Sequence, residues 1–200
     1  VISQCKKCYL IQLKYSVNDK FLFPKNYSYL SGNSKEKINN FKSILSRIKK
    51  ICKKNNPKIL DIGSNDGSFL MEIKKKYKNV LGIEPTNTAN ISIKKNIPTI
   101  KKALNFDLAK KIKKKYSKFD FIVATNFFAQ TNNLVEILKS IKLLLNKNGL
   151  LIIEVQYLYD LLLQKGFDSF HHEHIAYYTA SSITEVLKKY GFFVFDGEKI

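Results

Sequence analysis

Lys58-Ile59-Leu60-Asp61-Ile62-Gly63-Ser64-Asn65-Asp66-Gly67 runs from apolar residues through one carboxylate into two closely spaced glycines. A short apolar run closed by glycine reads as a buried strand. Glycine at 63 and 67 permits positive φ and close backbone approach, and the residues after Gly67 have helical spacing. The turn therefore delivers the chain to a helix N-terminus, where free N–H groups and the positive dipole end collect. Further apolar runs at 79–83, 97–100, 119–124 and 149–155 alternate with lysine-rich, helix-period segments near 67–77, 88–95, 105–115 and 132–145. Such alternation predicts an α/β, Rossmann-like fold: parallel strands with helices on both faces. Upstream, Ile38, Phe41, Ile44, Leu45, Ile48 and Ile51 predict a helix from about Asn33 to Asn55. Downstream, a turn is expected at Lys147-Asn148-Gly149, and the very apolar run after it suits a central strand. A helix over 180–190, closed by Gly191, and a last strand beginning at Phe192-Phe193-Val194-Phe195 complete the expectation.

The loop's chemistry separates two ligand classes. The dinucleotide pattern Gly-x-Gly-x-x-Gly fails, because Asn65 and Ser68 stand at its second and third glycines. Asp61 would repel a pyrophosphate but suits the amino-acid end of S-adenosylmethionine. Glu84, in Gly82-Ile83-Glu84-Pro85, ends the second strand, where it can accept hydrogen bonds from ribose hydroxyls; that feature serves both classes. The set Asp61, Gly63, Ser64, Asn65, Gly67, Glu84 and Pro85 thus favours the methyl donor. Strand four ends at Asn126-Phe127-Phe128, which places Asn126 facing the cofactor, with Phe127 or Phe128 beside its adenine or methionine part.

All three histidines fall in His171-His172-Glu173-His174. Three readings are open: a chance surface cluster, a metal-binding His-x-His pair if the segment is extended so that His172 and His174 share a face, and acid–base chemistry by an imidazole that titrates near neutrality.

Composition bounds the rest. Two hundred residues suffice for one domain plus an appendage. A formal charge of +19 raises a nucleic-acid partner, yet Arg47 is the sole arginine among 35 basic residues, and arginine is the better phosphate and base ligand. Lysine runs such as Lys74-Lys75-Lys76 read as solvated helix faces, so nucleic acid is not expected. No apolar stretch reaches the roughly 20 residues of a membrane span, and three cysteines without an even framework fit a reducing, cytoplasmic setting. The chain opens on Val1 and its one methionine is Met71, which reads as a sequence without its natural start.

Asp-Ile-Gly-Ser-Asn-Asp-Gly, Gly-Ile-Glu-Pro, Asn126, Glu154-Val155-Gln156-Tyr157-Leu158 and Phe167-Asp-Ser-Phe-His-His-Glu-His174 together resemble the sugar C-methyltransferases, enzymes that methylate a ring carbon of nucleotide-linked 4-keto-deoxysugars. Cys5-Lys6-Lys7-Cys8 and the stretch Phe23 to Ser31 resemble the end of that family's zinc-binding domain and the tyrosine-bearing approach to its helix. The resemblance implies two regions, residues 1–31 as the remnant of a zinc-binding domain and 32–200 as a class I methyltransferase domain truncated at its C-terminal end. It implies S-adenosylmethionine as cofactor, a small nucleotide-sugar substrate, and structural Zn2+ of which Cys5 and Cys8 supply half the ligands. His174 would be the base that forms an enolate, Glu173 its orienting partner, His172 or Tyr177 a hydrogen-bonding group on the enolate or sugar, and His171 the stand-in for a tyrosine donor. Tyr27 and Tyr29 would close over the sugar. Two other readings compete: a class I methyltransferase acting on oxygen or nitrogen of another metabolite, and an RNA-binding protein or RNA methyltransferase.

Overall fold

A computed structural model describes residues 1–24 and 26–200. The chain begins with β1 (Ile2–Gln4) and β2 (Ile11–Leu13), followed by the one-turn helix α1 (Asp19–Leu22), a 3-10 turn at Ser31–Asn33 and the long helix α2 (Lys35–Ile51). The alternating region then runs β3 (Ile59–Ile62), α3 (Ser68–Lys74), β4 (Val80–Ile83), α4 (Thr88–Lys94), β5 (Thr99–Ile100), α5 (Phe106–Tyr116), β6 (Phe119–Thr125), α6 (Leu134–Leu144) and β7 (Leu145–Glu154). After it come α7 (Leu158–Leu163), a 3-10 turn at Phe167–Ser169, β8 (Ala176–Tyr177) and α8 (Ala180–Lys189).

The main sheet is all parallel, in the order β5-β4-β3-β6-β7. Successive residues of β3 serve opposite faces, as a strand requires. Leu60 and Ile62 join Ile122, Leu138, Ile141 and Leu144 in one core, while Ile59 joins Phe41, Ile48, Phe69, Ile73 and Val123 in the other. The result is three layers with helices on both faces, as the alternation predicts. Helix starts are set by side chains that take up free N–H groups. Ser34 Oγ accepts from Lys37 N at 3.2 Å, Asn105 Oδ1 from Leu108 N at 2.8 Å, and Thr179 with Ser182 forms a capping box. The predicted apolar face of α2 is the buried one, although Ile51, at the helix end, is exposed.

Three expectations need correction. Lys147-Asn148-Gly149 lies inside β7, not in a turn: Phe119 pairs with Leu145 and Phe121 with Leu150, so the intervening residues form a bulge against β6. β7 is an edge strand of this sheet rather than a central one; its residues contact both cores, but among the described residues its strand partner is β6 alone. Phe192–Phe195 forms no strand. Phe192 packs on the core and under Lys142, whereas Phe193 and Phe195 are exposed.

The N-terminal residues are not an isolated arm. β1 and β2 form an antiparallel hairpin, and β2 pairs with β8, Ile11 opposite Tyr177. The segment holding Cys5 and Cys8 is thereby tied to the segment that follows the histidines. Among the described residues no helix is long and apolar enough to cross a membrane.

Candidate functional site at the carboxyl edge of the sheet

The chain fills one side of β3 with β4 and β5, then crosses to lay β6 and β7 on the other side. The loops leaving β3 and β6 therefore diverge, and such a switch point is where open parallel sheets bind ligands. Both loops are shaped for close approach. Gly63 has φ +76° and Gly67 φ +78°. A Cβ on Gly63 would stand 3.2 Å from the Phe127 ring, and one on Gly67 would press into Ser92 Oγ. Asn126 also takes positive φ, +53°, and Asn65 +47°, a conformation asparagine tolerates better than most residues.

Five carboxylates lie at this edge: Asp61, Asp66, Glu84, Glu154 and Glu173. Glu84 Oε2 accepts the N–H of Asn65 at 2.9 Å and Oε1 that of Thr86 at 2.9 Å. Asp61 is buried, and its Oδ1 has no hydrogen-bond partner. Burial, and then the charge of Glu84, push its carboxyl up to about 8. Ser64 Oγ is likewise buried without a partner. Glu154, the last residue of β7, accepts from Asn126 Nδ2, and Glu173 lies in the histidine turn. Lys37 pairs with Glu154 and Lys95 with Asp66, so the carboxylates at this edge without an ion pair among the described residues are Asp61, Glu84 and Glu173. An unpartnered buried carboxylate, an unpartnered hydroxyl and two glycines that exclude a Cβ fit a cationic nucleoside such as S-adenosylmethionine, and fit a pyrophosphate badly.

The residues expected to bind the nucleoside, Asp61, Gly63, Ser64, Asn65, Gly67, Glu84, Asn126 and Phe127, share this edge. Pro85 is solvent-exposed beside them. The two phenylalanines divide: Phe128 is core, while Phe127 is partly buried against Gly63.

Tyr27 and Tyr29 arrive over the same loop. Tyr27 N donates to Asn87 Oδ1 at 2.8 Å, Asn65 Nδ2 donates to Tyr29 O at 3.1 Å, and Ser31 N donates to Asn65 Oδ1 at 3.0 Å. These bonds strap the segment before α2 across the turn. Burial, with the charges of Glu173 and Glu84, pushes the Tyr27 phenol up to about 12. Tyr27 is thus the group that the nucleoside carboxylate and the histidine turn both influence, and it stays protonated at neutral pH. Tyr29 is half-exposed at the margin.

The histidines do not form an extended segment. The His174 N–H bonds to the His171 carbonyl at 3.0 Å, so the run is a turn. That geometry brings the rings of His171 and His174 to 4.5 Å between centroids and leaves His172, not His174's face-mate, in solvent. The N–H groups of Ile175 and Ala176 both bond to Ala129 O, holding the turn beside the loop after β6. His174 Nδ1 is buried with no partner, and burial, then the neighbouring His171, lower its basicity against a smaller opposing effect of Glu173. His171 Nδ1 meets the Ser169 carbonyl at 3.0 Å, so it carries the proton; the neutral ring then offers an acceptor at Nε2. A donor role for His171 requires the imidazolium. Tyr177 is buried, stacked on Phe170, with its hydroxyl donating to Ser169 O at 3.2 Å. Its polar group is thus turned to the backbone of the same turn.

Cys5 and Cys8 share one hairpin end, with free thiols. Hydrogen bonds from the Cys8 backbone lower the Cys5 thiol and burial raises that of Cys8. Among the described residues no group of three or more His, Cys, Asp or Glu side chains is placed to hold a metal ion, and Cys5 and Cys8 alone are too few for the closed four-ligand site expected of structural zinc.

The cluster of Glu154 with Lys37 and Asn40 escapes a reading by motif: Glu154 stands in the Glu154–Leu158 stretch that carries the resemblance, but nothing there gives its carboxylate a partner or a role. Its partners come from α2, more than a hundred residues away in the chain.

Comparison with known proteins agrees with this geometry. The chain is 24% identical over 194 residues to the C-methyltransferase NovU of Streptomyces niveus, a match spanning 96% of the chain and 46% of that protein. The chain thus spans about half the length of the curated relative it matches. Among solved structures, a SAM-dependent methyltransferase of Thermotoga maritima superposes with a TM-score of 0.57 at 20% identity, over 76% of this chain and 70% of that one. One from Archaeoglobus fulgidus gives 0.61 at 17% identity, over 76% and 69%. Residues 35–195 match the family described as methyltransferase domain, and the chain belongs to that family, with the class I fold of S-adenosylmethionine-dependent enzymes.

Proposed function

We propose that this methyltransferase transfers its methyl group to a carbon next to a ketone of a nucleotide-linked deoxysugar, with His174 as the base. The observation that carries this reading is the buried, unpartnered Nδ1 of His174, on an imidazole whose surroundings keep it neutral at pH 7. Oxygen and nitrogen nucleophiles already hold a lone pair; a carbon nucleophile must first lose a proton, so a poised base beside the cofactor edge is what this chemistry needs. The distant likeness to NovU supports the same choice.

Asp61, Ser64 and Glu84, with the Gly63–Gly67 turn, would hold S-adenosylmethionine, which supplies an electrophilic methyl group. Asp61 balances its ammonium, and Glu84, fixed by two backbone N–H groups, keeps lone pairs for ribose hydroxyls. His174 takes the α-proton of the ketosugar, and Glu173 stabilises the imidazolium that results. Tyr27, protonated and facing the same turn, donates to the oxygen on which the enolate charge develops. Tyr177 and His171 hold the Ser169 carbonyl and so shape the turn from beneath. The substrate is a small anionic molecule drawn by the lysine-rich surface, not a nucleic acid.

The test is to incubate the intact protein with methyl-labelled S-adenosylmethionine and nucleotide-diphosphate 4-ketosugars, and to follow solvent-deuterium exchange at the α-carbon. Label on carbon, and exchange that disappears in His174→Ala, are expected. Label on a hydroxyl or amine, or undiminished exchange in the variant, overturns the proposal.

A further inference from the structure

Glu154 ends β7 opposite Thr125 and makes contacts that no part of the reading above uses. Its backbone carbonyl accepts the N–H of Asn126 at 2.9 Å. Its Oε1 accepts Asn126 Nδ2 at 3.1 Å and Lys37 Nζ at 2.7 Å, and its Oε2 accepts Asn40 Nδ2. The side chain is 14% exposed. One carboxylate thus joins three elements: the end of β7, the loop after β6, and the first half of α2.

The consequences fall on Asn126. This residue sits at φ +53°, and its backbone N–H and side-chain amide both end on Glu154. With Nδ2 committed, the carboxamide must present Oδ1 away from Glu154. The following residue, Phe127, rests on Gly63, so whatever fixes Asn126 also fixes the wall of the nucleoside turn. On its other side Glu154 anchors α2, whose N-cap Ser34 follows directly on the Tyr27–Ser31 strap bonded to Asn65. A half-buried ion pair is a weak source of net stability, because desolvating both charges offsets most of their attraction. Stability is therefore a poor reason for placing this carboxylate here.

We infer that Glu154 is a positioning residue for the nucleoside: it orients the Asn126 carboxamide so that Oδ1 can accept from the cofactor's ammonium or ribose hydroxyls, and sets Phe127 against the Gly63 turn. The inference rests on the nucleoside site proposed above and on nothing about the acceptor substrate. Glu154 does not touch the reacting atoms; it acts through Asn126.

A double-mutant cycle read by calorimetry with S-adenosylhomocysteine tests it on the intact protein. Asn126→Ala and Glu154→Gln should each weaken binding by about tenfold, the usual scale for one charge-assisted hydrogen bond. Glu154→Gln added to Asn126→Ala should weaken it no further, because the carboxylate then has nothing to orient. Glu154→Asp, which keeps the charge for Lys37 but withdraws it by one methylene, should bind like Glu154→Gln and serves if the glutamine variant is poorly folded. Additive losses, or Glu154 variants that bind like the parent, overturn the inference. A parent protein that does not bind S-adenosylhomocysteine at all fails the nucleoside site itself, a different result from either.

Discussion

Asp61, inside β3, and Glu84, just after the neighbouring strand β4, are two buried carboxylates with opposite provision: Glu84 accepts two backbone N–H groups, while Asp61 Oδ1 accepts none. The difference sorts their charge states. Asp61 is pushed up to about 8 by burial and by Glu84, so at neutral pH the ligand-free protein holds it largely protonated. A ligand ammonium favours the ionised form, so binding should expel a proton. Affinity for S-adenosylhomocysteine should then rise from pH 6 to about 8, by up to roughly tenfold per pH unit, and level off above. The folded form of the ligand-free protein, which prefers the protonated acid, should lose stability as pH rises through that same value. Asp61→Asn should bind more weakly with a flat pH profile. Calorimetry in two buffers of different ionisation heat reads the proton directly, and no proton release at pH 6 contradicts the assignment.

The two loop glycines should fail in different ways. Both sit in left-handed backbone, so alanine costs about 1–2 kcal/mol at either position. Gly67 faces Ser92, including its backbone Cα at 3.3 Å, whereas Gly63 faces only the Phe127 ring, which can turn. Gly67→Ala should therefore lower the melting temperature by roughly 5 °C or more, at 2–4 °C per kcal/mol for a chain of this size. Gly63→Ala should melt closer to the parent but bind S-adenosylhomocysteine more weakly, since Phe127 is displaced into the cofactor's space. Thermal melts beside binding isotherms separate the two, and a larger melting loss in Gly63→Ala is the result that fails.

What was legible in the sequence was local and periodic. The alternation of apolar runs with helix-spaced lysine segments is written by burial on both faces of a parallel sheet, and those elements fall where they read. Gly63, Gly67, Asp61 and Glu84 were legible because a turn chemistry and two strand ends are local facts. The position of β7 was not, because apolarity reports covered faces and says nothing about which strand lies beside it. The shape of the histidine turn was equally hidden: a bond from the His174 N–H to the His171 carbonyl sets the His171 ring beside that of His174, and residue type alone does not specify it. The Glu154 cluster depends on α2 lying over the end of β7, a contact between residues 114 and 117 positions apart.

Gln156 has a buried amide oxygen with no partner. Such an atom forfeits its hydration for nothing, at about 1–3 kcal/mol. Replacing it with leucine, of similar length and no polar group, should stabilise the protein and raise its melting temperature by a few degrees. Gln156→Glu, which buries a charge instead, should lower it. If both variants melt below the parent, the amide oxygen has a partner in solution and the orphaned state is wrong.

The pair His171 and His174 gives the last prediction, because their neighbours act on His174 in opposite directions. Burial is the main cause of its lowered basicity, His171 adds to it, and Glu173 works against it. If His174 removes the substrate proton, the rate of α-deuterium exchange should hold steady from pH 7.5 down past the ordinary imidazole value of about 6.5 and fall only at lower pH. The fold should weaken over the same acid range, since protonating a buried neutral imidazole stabilises the unfolded chain relative to the native one. His171→Phe keeps a ring beside His174, at the 4.5 Å spacing of the native pair, but removes the like charge. Its acid limb should move to higher pH. Glu173→Gln removes the favourable charge, so its limb should move to lower pH. Opposite displacements from two neighbours of one imidazole are hard to produce in any other way, and limbs that move together, or not at all, place the base elsewhere.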